Sequence, residues 1–234
     1  MKHALVLGLL ILAVGLPPTV QAGPGSGTAT IGPPGDVVVG TDRRWQISYT
    51  AVDTFLTGAV QLTIPAGWTA PQNGSPTSAG YVAVTSSDPG ATFNVSSIVG
   101  NDITVWVDTL VAGQEIRIAY GEDGIDPAGR ATAPTTPGPA TFALSSHPTS
   151  RTGLQAIASQ PSLSVVAGPI TQLVFVTPTY EITSIEIAGP YTLEVRDQYG
   201  NPSAVTADQD ISLSTDCPFG EFSLLGGDDF SPIS

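Results

Sequence analysis

Few side chains in this 234-residue chain could support chemistry: two histidines, one cysteine and 20 acids. His147 lies in Ser145-Ser146-His147-Pro148-Thr149-Ser150, with hydroxyls close by in sequence. Nucleophilic catalysis needs the base to face its nucleophile. Neighbours in an extended segment point to opposite faces, so the stretch reads as a solvated loop around a lone histidine. No Gly-x-Ser-x-Gly elbow is present. Cys217 follows Asp216, whose charge disfavours a thiolate, and it reads as a small buried or inert thiol. A single cysteine makes no internal disulfide, and one cysteine with so few histidines excludes a zinc site.

The acids gather at turns. Gly121–Gly129 carries Glu122, Asp123 and Asp126, and Gly226–Phe230 pairs Asp228 with Asp229. Calcium requires several oxygens converging from one tight turn. Neither run has the alternating Asp-x-Asp-x-Asp-Gly spacing, so both read as solvated acidic turns, with a weak calcium site as the alternative. Paired carboxylates for glycoside hydrolysis would need a cleft, which a narrow sandwich with short loops does not provide. Sugar stacking is another possibility. Trp45 shares a strand face with Ile47 and Tyr49 and belongs to a core. Trp68, in a turn, and Trp106, beside Thr104 and Asp108, are the candidates for a ligand surface. Asn94-Val95-Ser96 is a chance sequon. The chain is therefore expected to hold no catalytic residue, no cofactor and no metal.

The elements that would position these residues follow one grammar. Runs of four to eight residues alternate apolar with polar until Gly, Pro, Asn or Asp interrupts them, in a chain with 26 Gly and 21 Pro. Trp45, Ile47 and Tyr49 form one inward set; Val60, Leu62 and Ile64 form another, stopped by Pro65. Ile103, Val105 and Val107 repeat the pattern, as do Ile116, Ile118 and Tyr120. Further strands are expected at 28–31, 36–39, 80–84, 91–95, 140–145 and 161–166. No convincing helical period appears. This predicts an all-β fold, an Ig-like antiparallel sandwich over residues 23–168.

After Gly168-Pro169 the pattern restarts at 173–176, 191–195, 211–214 and 221–224. Four strands do not close a sandwich, so 169–234 reads as the first half of a second one and the chain as a fragment. The linker is short, which restricts the modules' relative orientation. Residues 1–22 read as a cleaved signal peptide: a basic head, an apolar run too short to span a bilayer, and Val20-Gln21-Ala22 as the cleavage site. The mature chain then carries six arginines against 20 acids and has no membrane span. Such a surface repels phosphate backbones and excludes nucleic acid as a partner.

One stretch beside a strand is dense in turn chemistry: Val195-Arg196-Asp197-Gln198-Tyr199-Gly200-Asn201-Pro202. Asp197 can accept turn N–H groups, Gly200 takes positive φ, Asn201 tolerates the left-handed region and Pro202 fixes φ. These four residues read as a structural corner. Together with "TQLVFVTPT" (171–179), "ISLST" (211–215) and "GEFSLL" (220–225), the corner resembles bacterial Ig-like domains of the invasin/intimin type. The segment 28–166, with "LTIPAGWTAPQ" and "GQEIRIAYG", is similar to Ig-like modules of secreted bacterial surface proteins. The resemblance implies display at the cell surface or secretion, and a non-catalytic role as adhesin stalk or structural spacer. Its partners would be an unknown surface ligand or neighbouring Ig-like modules. The alternatives are the non-catalytic N-terminal region of a secreted hydrolase and a carbohydrate-binding module.

Overall fold

A strand with one apolar face must cover that face, and a second such sheet does so most simply. The computed structural model describes residues 25–121, 129–176 and 192–206, and no α-helix occurs among them. The strands are β1 (Thr28–Gly32), β2 (Val37–Val38), β3 (Asp42–Arg43), β4 (Trp45–Thr50), β5 (Phe55–Thr63) and β6 (Val82–Ser86). Then come β7 (Thr92–Val99), β8 (Asp102–Leu110), β9 (Glu115–Tyr120), β10 (Ala131–Thr132) and β11 (Gly138–Thr141). β12 (Ala143–His147), β13 (Gln155–Ala156), β14 (Ser162–Val166), β15 (Gln172–Phe175) and β16 (Leu193–Arg196) follow.

Two antiparallel sheets make a sandwich, called the first sandwich below, one ordered β1-β4-β9-β6 and the other β13-β12-β5-β8-β7. Trp45, Ile47 and Tyr49 face inward from β4, Ile116, Ile118 and Tyr120 from β9, and all are fully buried. Val60 and Leu62 of β5 and Ile103, Val105 and Val107 of β8 meet them from the other sheet, equally buried. The all-β sandwich is thus built on the alternating faces legible in the sequence. The expected strand at 140–145 is split: Phe142 turns fully inward between β11 and β12. Pro139 is accommodated because β11 is an outer strand, where a missing N–H costs no ladder bond. One short pair departs from the antiparallel scheme, β14 lying parallel to β2 through Val165↔Val37 and Val166↔Val38.

Register fixes the two poles of the sandwich. At one, Thr28 pairs with Thr50, which pairs with Glu115, and Tyr49 packs edge-on against Phe55. At the other, Trp45 pairs with Tyr120, Thr63 with Asp102, and Val39 N–H bonds the carbonyl of Val166. The chain enters β1 at the first pole and leaves β14 at the second. β7 is an outermost strand whose register slips between Thr92 and Phe93 and again between Val95 and Ser97.

Beyond Gly168, β15 and β16 pair antiparallel from Gln172↔Arg196 to Phe175↔Leu193. The bridge Arg196↔Pro202 and the bond from Ser203 N–H to the Val195 carbonyl bring the chain back alongside β16. The expected signal peptide, Cys217, the acidic runs around Asp123 and Asp228, and the strands expected at 211–214 and 221–224 lie outside the described residues. No helix among the described residues is long and apolar enough to cross a membrane.

Candidate functional site at the Asp197 corner

β16 ends at Arg196 and the chain must reverse within five residues to bring Pro202 opposite it. The carboxylate of Asp197 organises that reversal. Its Oδ1 accepts the N–H groups of Tyr199 at 2.9 Å and Asn201 at 3.0 Å. Asn201 Nδ2 donates to Oδ2 at 3.0 Å, while Gly200 takes φ +84°, where glycine has no Cβ to clash. Pro202, which donates no backbone bond, closes the corner.

The same carboxylate reaches out of its own turn. Asp197 Oδ2 accepts the N–H of Gly168 in the linker at 2.9 Å, and Ser203 Oγ donates to the Gly168 carbonyl at 2.6 Å. Both backbone polar groups of Gly168 are therefore held by residues that follow β15, Asp197 and Ser203. Asn201 Nδ2 also donates to the Thr135 carbonyl of the first sandwich at 2.8 Å. Asp197 is fully buried in the folded chain. Arg196 does not neutralise it, being engaged with Glu194 through Nε at 2.7 Å. Burial pushes the Asp197 carboxyl up, but bonds from the Asn201 side chain and from the Gly168, Asn201 and Tyr199 backbones outweigh it, leaving the group at about 2.

The remaining candidates fall elsewhere. Trp106 is half-buried on the outer face of β8, and Arg151 lies over its ring, 4.3 Å from the centroid, while pairing with Asp108. The ring face that a sugar would need is occupied by the protein's own guanidinium. Trp68, a weak candidate for a ligand surface on its turn, is a core residue. It is 6% exposed and wedged edge-on between Trp45, at 4.7 Å, and Phe142, at 5.0 Å. His147 ends β12 on the outer face, and its Nδ1 accepts the N–H of Thr149 at 3.3 Å. Ser146 points the other way, buried, and donates to the Ser26 carbonyl at 2.6 Å. The base and the hydroxyl thus lie on opposite faces. Among the described residues no three His, Cys, Asp or Glu side chains gather where a metal ion could be held.

Two shallow hollows open on the sandwich. One, of about 330 Å³, is walled by Trp68 and the prolines 65, 134, 137 and 139 and has no titratable side chain. The other, of about 400 Å³, runs between β6 and β7, with Tyr81 its one titratable neighbour. Neither contains an acid–base pair. Gly40, over which Tyr199 lies, Thr135 and Ser203 complete the contacts around the corner and carry no sequence pattern linking them to it. Gly40 and Tyr199 are far apart in the chain, and sequence spacing reports only neighbours.

No family model matches the chain, and no curated protein does. Among solved structures, a non-cellulosomal cohesin from the hyperthermophilic archaeon Archaeoglobus fulgidus is similar over 59% of this chain and 91% of that chain. The identity is 12% and the TM-score 0.36. At that score the likeness carries no argument, and the fold assignment rests on the strands and their register.

Proposed function

We propose that the chain is a non-catalytic Ig-like repeat protein, secreted or displayed on the cell surface, serving as an adhesin stalk or structural spacer. The observation that carries this reading is the junction. The chain enters the first sandwich at one pole and leaves at the opposite one, where Asp197 and Ser203 bond both polar groups of Gly168. Modules joined end to end in this way extend a distal part away from an anchor. The corner's resemblance to invasin/intimin-type domains and the leader-like residues 1–22 support the same reading. Neighbouring modules, or a surface ligand held by loops and sheet edges, are the partners this role requires.

Two experiments test it. Antibodies raised against residues 25–168 should label intact cells of the source, and external protease should remove the label; labelling only after lysis overturns surface placement. Replacing 23–168 with an unrelated sandwich of equal end-to-end length should preserve any adhesion of those cells. Lost adhesion would make the module itself the ligand holder.

A further inference from the structure

We infer that the second pole of the first sandwich is a socket for the Asp197–Pro202 corner, and that this fit sets the angle between the modules. The inference rests on the spacer reading for its purpose but not for its geometry. Three separate stretches of the first sandwich and linker each meet a different residue of the corner. Tyr199 lies over Gly40, Asn201 Nδ2 bonds the Thr135 carbonyl, and Asp197 takes the Gly168 N–H. One tether would let the second module swivel. Three contacts that do not lie in one stretch leave a single seating.

Gly40 is the tightest of them. Its φ is +68°, and a Cβ there would fall 2.2 Å from the Tyr199 hydroxyl oxygen and 2.8 Å from the ring carbon that bears it. Any side chain would both strain the backbone and push the tyrosine out of place. The socket is held together by bonds that do not involve the corner. Val39 N–H bonds the Val166 carbonyl at 2.9 Å, Gly40 N–H the Pro134 carbonyl at 3.1 Å, and Ala133 N–H the Thr41 carbonyl at 2.9 Å. The corner is equally prepared, because Asp197 binds its own turn as well as the linker. Two rigid surfaces lose little conformational freedom on seating, which favours one orientation. A corner that served only its own turn would need neither the Thr135 bond nor the bare Gly40. The chemistry the socket fits is therefore a following module whose first hairpin presents Asp-x-Tyr-Gly-Asn-Pro.

The test is a distance measurement between spin labels in the full chain, with Cys217→Ser as background and labels at Val111→Cys and Val205→Cys. Both positions are exposed and lie on different modules. A narrow distance distribution is expected. Gly40→Val and Tyr199→Ala should each broaden or shift it, whereas Gln198→Ala, at an exposed position of the same turn, should leave it unchanged. Near-ultraviolet circular dichroism of the buried Trp45 and Trp68 checks that the first sandwich stays folded in every variant. A broad distribution in the parent, or a narrow one unmoved by Gly40→Val and Tyr199→Ala, overturns the socket. Intact-cell labelling reads surface placement by itself, so failure of the socket and failure of surface display are distinguishable.

Discussion

Removing Arg151 tests whether the sheet face of the first sandwich is closed to ligands. The guanidinium sits 4.3 Å from the centroid of Trp106 and pairs with Asp108, the two side chains being 34% and 47% exposed. A pair that open to solvent contributes about 0.2–1 kcal/mol. The contact with the ring adds about 0.5–1 kcal/mol. Arg151 Nε is buried without an acceptor among the described residues, which offsets part of the gain. Arg151→Ala should therefore cost about 1 kcal/mol, a fall of about 2–4 °C in melting temperature for a domain of this size. Tryptophan fluorescence separates this contact from a general loosening. Trp45 and Trp68 are 0% and 6% exposed, so a new acrylamide-quenchable component must come from Trp106. The parent chain should not be retained on insoluble polysaccharide. If Arg151→Ala leaves quenching unchanged, the guanidinium is not the cover. If the parent is retained and Trp106→Ala is not, the face binds sugar despite it.

Other outcomes follow from the same structure. Asp197→Ala should lower the melting temperature, since it strips the acceptor from the Gly168, Tyr199 and Asn201 N–H groups. Because the folded carboxyl lies at about 2, below its usual 3.8, its stabilisation is complete above about pH 4 and fades as pH falls towards 2. The melting-temperature difference between the parent and Asp197→Asn should narrow over that window; a constant difference would refute the role of its charge. Leu62→Ala, in the fully buried face of β5, should cost about 2–5 kcal/mol in denaturant unfolding. Val99→Ala, 72% exposed, should stay within about 0.5 kcal/mol of the parent. Tyr49 OH donates to the Ser26 carbonyl at 2.7 Å, so Tyr49→Phe should cost about 1 kcal/mol, measured the same way.

What the sequence disclosed depended on how local the determinant was. The inward faces of β4, β5, β8 and β9 alternate within six to nine residues, and each such face became core. The two-residue strands β3, β10 and β13 are too short to alternate and left no trace. Trp68 was a weak ligand-surface candidate only because a turn usually exposes its side chains. Here the turn folds under the pole, where Trp45 and Phe142 hold the indole edge-on. The corner's own turn chemistry lay within six residues and could be reasoned from them. Its reach to Gly168, Thr135 and Gly40 could not, because no local pattern records contacts between distant stretches.

The outermost strand β7 has a consequence for crowding. Thr92–Val99 contains no charged residue and no proline, the usual deterrents to an incoming foreign strand. Its defence is conformational. The slip at Ser96, between Val95 and Ser97, interrupts the even row of donors and acceptors that a neighbouring molecule would copy. Proteins packed densely side by side meet edge to edge continually, and here the two slips in register, at Thr92 and at Ser96, make this edge a poor template for a neighbour.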